Sequence, residues 1–577
     1  MAKRPVRQKI KLTHEQKKQK LADLRQKRLE RKFRQDIRNI FTLSGFQHLK
    51  TEGAEFNFLG RTGEIDNVFF YENVVIVCED TYAKTPSSHL LKKKVLFDRI
   101  QGNETEFVEF LTSQFPIFKA YVSASNYKPK QFEVRILYCS RYSIPVEHKE
   151  LCTDVRFIEY PLLRYFTSLV KTINKTAKFE IFKFLGLNYR DIGKARIKGR
   201  ASAASQYPGF LLPEAHSNFP PGFKVLSFYV DPESLLERVY VLRKDSWEEP
   251  DCSYQRMLVA KKIRSMRRYL NESERVYVNN LIVTLPPSVR LSDELGKKLL
   301  IEKELTEIRS VKIELPDEFN SVGVIDGQHR VYSYHEGSDI YESKIRSLRQ
   351  CQNLLVTAIM YPETVSDLER TRFEATLFLE INDEQTKARG DLKQAIELIV
   401  RPFSSTAISK SIISGLSRRG PLRGCLEEHY FDDDHKVKTS SIVSYGLKPL
   451  IKTEGEDSLY SVWGYKDKQK LLEASEKAVL DNYVQFCVKE INDLLLAAKL
   501  NLSAEDWRVM DKTGGLLTPT FVNGFIVCLR EIVRFGLPRG EEQYKKNLEK
   551  IARFPFRNFK SSHWKQLGLE IFKQYFQ

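Results

Sequence analysis

The chain has 577 residues, of which 42% are hydrophobic and 11% aromatic, so it can fold into three or four domains with sizeable cores. Its formal net charge of +18 predicts an anionic partner, either nucleic acid or a membrane surface. No stretch approaches the roughly 18 uncharged apolar residues of a membrane span, and the basic N-terminus lacks the apolar core of a signal peptide. The eight cysteines are scattered without a CxxC pair, which argues against a disulfide framework or a zinc site and predicts a cytoplasmic protein with reduced thiols.

Residues 1–34 differ in composition from the rest of the chain. They contain 14 Lys and Arg against three acidic residues, a net charge of +11. Thr13 and Gln16 form a candidate capping box at the start of a helix with only a thin apolar stripe. We therefore expect a solvated basic helical arm that contacts the phosphate backbone of nucleic acid. A solvated or disordered arm without a partner is the alternative.

The following region, residues 35–200, has the pattern of an α/β domain. The segment RQDIRNIFTLSGF predicts a helix that ends at Gly45. The segment EIDNVFFYENVVIVCED predicts two strands joined at Glu72 and Asn73. Further along, SSHLLKKKVLFDRI and ETEFVEFLTSQF predict helices, and FEVRILYCS predicts another strand.

A Gly- and Pro-bearing stretch, residues 198–222, predicts a linker to a second α/β domain at residues 215–440. Strands are expected in KVLSFYVD, RVYVLR, NNLIVTLP, SVKIELP and LLVTAIMY, with a helix in YQRMLVAKKIRSMRRYL. A helix should begin at Ser366, whose capping box pairs it with Glu369. LSRRGPLRG predicts a second connector, and residues 441–577 are expected to be helical, with helices at 466–500, 518–534, 540–553 and 562–575.

The segment SVGVIDGQHRVYSYHEG has an apolar run, residues 322–325, that leads through an Asp-Gly pair into polar side chains. A strand that ends there and is followed by a helix presents unpaired backbone N–H groups. Gly327 would let the main chain approach a ligand closely, and Arg330 could bind a phosphate through two hydrogen bonds. The pattern predicts a phosphate-binding turn that faces an open pocket. The alternative is a capped turn, with Asp326 bonding the first amides and Arg330 paired with Glu336 or another acid.

The same residues resemble the signature of the DGQHR-domain proteins, a family that includes DndB-like proteins associated with DNA phosphorothioate modification. They also resemble the G-x-x-R-x-x-A box of ParB-type domains and the phosphate-binding box of sulfiredoxin, with Ser333 in place of the small Ala of the ParB box. YQRML (254–258) is similar to the family's upstream element, and FLEINDEQTK (378–387) to its downstream element. The resemblance implies a ParB-like fold and a nucleotide or phosphate site formed by Asp326, Gly327, Gln328, His329, Arg330, Arg256 and Asn382.

Two acids in the N-terminal α/β region form a second candidate site. Asp66 is early on one predicted strand, and Glu79 lies near the end of the next. Carboxylates on adjacent strand ends can hold Mg²⁺, which can activate water for attack on a phosphodiester. Taken alone, they could equally be two ordinary strand-end acids. Their order along the chain resembles the restriction-endonuclease-like PD-(D/E)xK fold, which implies that Asp66 and Glu79 are catalytic metal ligands and Asp36 the first-helix acid.

The lysine of that motif is displaced in this chain. Thr81 occupies the position two residues after Glu79, where the family has its lysine. Lys84 is the expected replacement, and Lys93 and Lys94 on the next predicted helix are the other candidates. Without such a lysine the domain would bind DNA but not cut it. A second glycine-bearing segment, KTGGLLTPTF (512–521), lacks the P-loop pattern and is predicted to be a turn.

The resemblances together imply a bacterial DNA-acting protein of a modification, restriction or phage-defence system. A Mg²⁺-dependent nuclease would be coupled to a domain that binds an NTP or senses a DNA modification, so the chain would be a DNase, an NTPase or both. Proteins of the same system are expected partners. The alternatives are a non-enzymatic DndB-like DNA-binding regulator with a degenerate nuclease domain, and a ParB-type NTP-driven DNA clamp.

Overall fold

The structure is a computed structural model that describes residues 14–53, 55–125, 127–193, 206–240, 258–383, 390–428, 435–473, 476–511 and 513–577. At the level of architecture the prediction is confirmed. The chain is a mixed α/β multidomain protein with several sheets, including a curled half-barrel sheet, and a helical C-terminal region. Among the described residues, no helix is long and apolar enough to cross a lipid bilayer.

The N-terminal domain is built on a mixed sheet. Its strands are β1 (Gln47–Lys50), β2 (Phe56–Phe58), β3 (Arg61–Gly63), β4 (Asn67–Tyr71), β5 (Val74–Thr81), β6 (Glu133–Ser140) and β7 (Val155–Glu159). Its helices are α1 (His14–Leu43), α2 (Ser87–Ile100), α3 (Glu104–Gln114), α4 (Pro116–Ala124), α5 (Val146–Glu150), α6 (Tyr160–Ile173) and α7 (Lys178–Phe184). The sheet order is β1-β4-β5-β6-β7, with antiparallel pairing from β1 to β5 and parallel pairing from β5 to β7. Strands β2 and β3 form a separate hairpin.

Strand β5 is the centre of this sheet, and all eight of its residues are buried. Side chains alternate between the two faces of a strand. Val74 and Ile76 therefore belong to the core that includes α1, whereas Val75 and Val77 belong to the core that includes α2 and α3. The predicted hairpin between β4 and β5 is confirmed, and Glu72 in its turn has a φ of +48°.

Helix α1 joins two segments that were predicted separately. No helix-breaking residue separates the basic arm from the apolar segment that follows, and the helix runs on until Leu43, with Gly45 at a φ of +95° just beyond it. Its leucines in the basic part are exposed, but from Phe33 onward it packs against the sheet. The basic stretch and the first helix of the domain are therefore one continuous helix, which packs against the sheet from Phe33 onward. Thr13 of the predicted capping box lies outside the described residues.

The central domain contains a single curled eight-stranded sheet in its described part. Its strands are β8 (Gln206–Pro213), β9 (Lys224–Val230), β10 (Val239–Tyr240), β11 (Leu281–Leu285), β12 (Arg290–Ser292), β13 (Arg309–Glu314), β14 (Val322–Asp326) and β15 (Leu354–Met360). Their order in the sheet is β10-β14-β11-β15-β9-β8-β13-β12. The helices are α8 (Glu214–Ser217), α9 (Pro232–Arg238), α10 (Ala260–Ser273), α11 (Gln328–Tyr332) and α12 (Glu342–Cys351).

The prediction of a linker at 198–222 is wrong for residues 206–217, which form β8 and α8, and residues 198–205 lie outside the described residues. Residues Gln206–Pro213 form β8, which pairs on one side with β9 and on the other with β13. Gly209 lies where the strands pack most closely, because a Cβ there would be only 2.6 Å from the Ser227 carbonyl oxygen. Pro208, Gly209 and Pro213 are therefore part of the sheet and not of a flexible connection.

The N-terminal and central domains share one hydrophobic core. Phe182 of α7 and Phe319 before β14 pack with ring centroids 5.3 Å apart. Glu336 accepts hydrogen bonds from Lys175 at 3.2 Å and Lys178 at 2.8 Å. Glu336, which was considered as a partner of Arg330, is thus paired with two lysines of the N-terminal domain.

Two helices after the last strand, α13 (Asp367–Asp383) and α14 (Gly390–Val400), pack on the central sheet, where Ala375 and Ile396 share a core with Ile325 of β14. The helical region follows them and begins before residue 441. Its helices are α15 (Ser405–Arg418), α16 (Lys448–Ile451), α17 (Leu459–Val462), α18 (Lys470–Glu473), α19 (Lys477–Leu500), α20 (Pro519–Arg534), α21 (Glu541–Asn547) and α22 (Trp564–Tyr575), with a π-helical turn at Ile442–Leu447. Ile408, Ile412 and Leu416 of α15 are buried in the same core as α19 and α20. The predicted capping box at α13 is confirmed, since Ser366 Oγ accepts from Glu369 N at 3.3 Å and Glu369 Oε2 accepts from Ser366 N at 2.9 Å.

Candidate active site

Asp66 and Glu79 are brought together by the β4–β5 hairpin. The register pairs Asn67 with Cys78, so the next step places Asp66 opposite Glu79. The alternation along each strand directs both side chains to the face covered by α2, the face of Val68 and Val77. Asp66 Oδ2 accepts a hydrogen bond from the Asp80 amide at 2.9 Å, which fixes its carboxylate at the strand end.

Glu79 is a fully buried acid with unsatisfied oxygens. Its exposed fraction is 0%, and neither carboxylate oxygen has a well-formed hydrogen bond to a described residue. Burial is the main cause that raises the pKa of Glu79 to about 9, and the nearby Asp66 carboxylate adds to it. Without a metal the carboxyl therefore holds a proton near neutral pH. A bound cation would replace that proton and stabilise the ionised carboxylate.

Lys93 on α2 supplies the positive charge at this pair. Its Nζ lies 2.8 Å from Glu79 Oε2 and donates to the Glu64 carbonyl at 2.6 Å. The expected Lys84 is exposed in the turn before α2 and forms no ion pair with either carboxylate in the described structure. Lys94 pairs with Asp98 one helical turn further on. Of the three candidate lysines, Lys93 is therefore the one that lies beside Glu79, in place of the expected Lys84.

The opposite face of the same strand end has a different polar pair. Asp80 is buried toward α1, and Arg34 of that helix lies 3.1 Å from its Oδ1. Burial, followed by repulsion from Asp66, raises the pKa of Asp80 to about 7, while Arg34 opposes that rise. Asp36, expected as the first-helix acid, is instead among the cations Lys171, Lys32 and Arg164. Helix α1 thus places Arg34 beside the candidate site, whereas the prediction placed the acid Asp36 there.

Two further residues of the site were missed in the sequence. Tyr138 is the neighbour of Glu79 in the parallel β5–β6 register, and its hydroxyl lies 2.9 Å from His89 Nδ1. Burial, followed by repulsion from Lys93, lowers the pKa of His89 below its ordinary value. His89 precedes Lys93 by one helical turn, and that spacing is the signal that could have pointed to both side chains on the inner face of α2.

The residues fit a Mg²⁺ ion in number and chemistry. Mg²⁺ prefers oxygen ligands and is commonly held by one or two carboxylates with water completing its shell. Asp66 and Glu79 offer such a pair, and the ion would share the Glu79 carboxylate with the Lys93 ammonium. Within the described residues no group of three or more His, Cys, Asp or Glu side chains is arranged to hold a metal, so these two acids would be the protein's contribution.

The DGQHR segment adopts the predicted local structure. Strand β14 covers the apolar run, and α11 begins at Gln328 directly after Gly327. Gly327 has a φ of +95°, and a Cβ at this position would lie 2.4 Å from Leu281 Cδ2. Only glycine meets both demands without strain.

The side chains of this segment differ from the prediction of an open pocket. Gln328 and His329 are buried, and His329 Nε2 accepts from the Val259 amide at 3.2 Å. Arg330 pairs with Asp326 at 3.0 Å and donates to the Asn280 carbonyl at 2.9 Å. The capped-turn alternative requires that Arg330 be paired with an acid, and it is. The acid is Asp326 and not Glu336.

Some donors and acceptors of the DGQHR segment nevertheless have no partner. Both side-chain amide atoms of Gln328 and the Nε of Arg330 are buried without a hydrogen bond to a described residue. Arg256 lies outside the described residues, and Asn382 is placed on α13 without a described side chain. Their predicted convergence on this site stays a prediction.

Comparisons with known proteins add no assignment. No family model, no curated protein and no solved structure matches this chain. The function must therefore be argued from the geometry and charge of the sites themselves.

Proposed function

We propose that the N-terminal domain is a Mg²⁺-dependent, restriction-endonuclease-like nuclease that acts on DNA. The observation that carries the proposal is the convergence of Asp66, Glu79 and Lys93 at one strand end of a mixed sheet. Lys93 comes from α2, the helix that follows β5. Its ammonium would take the place of the family's usual lysine, where this chain has Thr81.

Each residue of the site has a distinct chemical task. Asp66 and Glu79 would hold the ion, which when bound supplies an activated water and a counter-charge for the phosphodiester. The Lys93 ammonium, fixed by the Glu64 carbonyl, is placed to stabilise negative charge that develops on the phosphate oxygens. Tyr138 and His89 orient the inner face of α2 through their 2.9 Å contact.

DNA as the substrate is supported by the charge of two surfaces. The exposed basic stretch of α1 leads into the helical segment that contains Arg34, beside the site. Helix α10 buries Ile263 and Leu270 and exposes Lys261, Lys262, Arg264 and Arg268. Rows of exposed cations on helices bind the phosphate backbone without sequence preference.

For the central domain we propose nucleotide binding or recognition of a DNA modification, as the DGQHR resemblance implies. The unpartnered amide of Gln328 supports a ligand there, while the Arg330–Asp326 pair favours a structural turn. A bacterial modification, restriction or phage-defence system remains the proposed setting. The alternative of a non-enzymatic DndB-like regulator is favoured by one observation, the threonine at position 81.

The test is cleavage of supercoiled plasmid by the full-length protein with Mg²⁺, and with Mn²⁺ as a second metal. Asp66→Asn and Glu79→Gln should abolish nicking, and Lys93→Ala should lower its rate by about 100-fold or more. Lys94→Ala is the matched control, because Lys94 is the next residue on the same helix and pairs only with Asp98. Lys84→Ala should also be active, since Lys84 is exposed and forms no ion pair with either carboxylate in the described structure.

Parallel reactions with each NTP separate the alternatives. NTP hydrolysis without DNA cleavage would favour the ParB-type clamp, and DNA binding with neither activity would favour the regulator. Cleavage that persists in Glu79→Gln would place the active site elsewhere and refute the assignment.

A further inference from the structure

The predicted turn at 512–521 borders a large cavity in the helical region. The cavity has a volume of about 870 Å³ and is enclosed by the turn, the π-helical turn at Ile442–Leu447 and the segment 556–564. Small-molecule sites commonly have volumes of roughly 300–1,000 Å³. Its size therefore suits an organic ligand of several rings or groups.

One wall of the cavity is an aromatic surface. The rings of Tyr445 and Trp564 are nearly parallel, with centroids 5.8 Å apart and an interplanar angle of 20°. Tyr445 is 57% exposed, so its ring forms part of the rim, whereas Phe521 and Phe556 are buried behind it. An exposed flat aromatic surface at the rim of a cavity favours a ligand with a planar ring.

The lining of the cavity also contains a buried amide. Asn523 is 1% exposed, and its Oδ1 has no hydrogen-bond donor among the described residues. That oxygen packs against Gly446 of the π-helical turn, where a Cβ would be only 2.3 Å from it, so it is covered by the protein and not open to a ligand. At this point the wall of the cavity is formed by the packing of α20 against that turn.

The charged groups of the cavity are mainly positive. Arg557 and Lys560 lie on its rim, and Arg557 is highly exposed, with its nearest acid, Asp506, 3.7 Å away. The one acid among the lining residues, Asp511, is already bonded to Thr513 and Arg508. Helix α20 also begins here at Pro519, and a helix N-terminus favours negative charge. The rim is thus suited to an anionic group such as a phosphate.

We propose that this cavity binds a nucleotide. The base stacks on Tyr445 and Trp564, and its phosphate lies between Arg557 and Lys560. A purely apolar ligand would make no use of the two cations, and inorganic phosphate would make no use of the aromatic wall. The nucleotide is either a free mononucleotide or one unit of a single DNA strand, which present the same groups.

The test is isothermal titration of the full-length protein, in EDTA, with each nucleoside 5′-monophosphate and with a short single-stranded oligonucleotide. EDTA makes the outcome independent of the proposed nuclease. Tyr445→Ala should weaken binding by roughly 5- to 150-fold, the range for loss of one base–aromatic stack. Its matched control is Phe535→Ala, because Phe535 is also 57% exposed and stacks on Phe572 away from the cavity.

The charge contribution is tested in the same way. The double variant Arg557→Ala/Lys560→Ala should weaken binding, whereas Lys565→Ala/Lys573→Ala, which removes two exposed lysines outside the cavity lining, should not. Monophosphate binding that depends on these residues supports a free nucleotide, and oligonucleotide binding alone supports a unit of a strand. Absence of binding by the wild-type protein to either probe, or equal binding by the cavity variants and their controls, overturns the proposal.

Discussion

Glu79 should make the N-terminal domain less stable as the pH rises when no metal is present. In the folded protein burial raises its pKa to about 9, whereas an unfolded chain has a glutamate near the ordinary 4.5. Between these two values the folded state holds a proton that the unfolded state has released. Stability therefore decreases with increasing pH across this window. Glu79→Gln keeps the shape of the side chain and removes the titration.

The magnitude follows from the linkage of proton binding to folding. One proton bound only by the folded state changes the free energy of unfolding by about 1.4 kcal/mol per pH unit. Between pH 6 and pH 8 the wild-type protein should lose up to about 2.7 kcal/mol relative to Glu79→Gln. Asp80, whose pKa is also raised, is present in both proteins, so its contribution cancels in the comparison.

Hydrogen exchange in EDTA provides the measurement. A chain with several domains does not unfold in one step, so a global melting temperature would mix their contributions. Exchange of the β5 amides, corrected for the intrinsic pH dependence, reports the local free energy of opening in the domain concerned. Parallel pH dependences for the wild-type protein and Glu79→Gln would show that the Glu79 pKa is not raised, and would refute the reasoning.

Three other outcomes are expected. Deleting residues 1–28 removes eleven Lys and Arg and two acids, a net charge of +9, but keeps Phe33 and Arg34. The slope of log DNA affinity against log salt concentration should then flatten by about 0.9 for each phosphate that the arm neutralises. An unchanged slope would show that the arm does not contact the DNA. Gly327→Ala should lower the free energy of local opening, measured by hydrogen exchange of the β14 amides, by more than about 1–2 kcal/mol, because a left-handed φ adds to a clash with Leu281. Its control is Gly102→Ala, with positive φ and open space, compared through the amides of its own domain, and equal losses would show that the clash is relieved. Arg330→Ala should lower the same local free energy at β14 by about 1–3 kcal/mol, since it leaves Asp326 and the Asn280 carbonyl unpaired. Unchanged exchange at β14 with weakened nucleotide binding would favour the phosphate-site interpretation instead.

Local patterns were sufficient to predict the elements of the N-terminal domain that form the candidate site, although not β1, β2, β3, β7 or the helices α4 to α7. The alternation and apolar runs around Glu72 and Asn73 predicted the β4–β5 hairpin, and α2 occupies the residues that its helical pattern indicated. Since an antiparallel hairpin with a short turn fixes which residues face each other, the approach of Asp66 to Glu79 followed from the sequence as well. The turn at Gly327 was predictable for the same reason, because the need for a positive φ is local.

Contacts between distant segments were decided only by the tertiary structure. The choice of Lys93 over Lys84 depends on how α2 lies across the sheet, and the placement of Arg34 beside Asp80 depends on the packing of α1. Strand β8 was mistaken for a linker because its glycine and prolines are typical of a connection, whereas its pairing with β9 on one side and β13 on the other depends on the sheet as a whole. The cavity beside Asn523 arises where three segments remote in sequence meet, and its shape depends on the packing of all three.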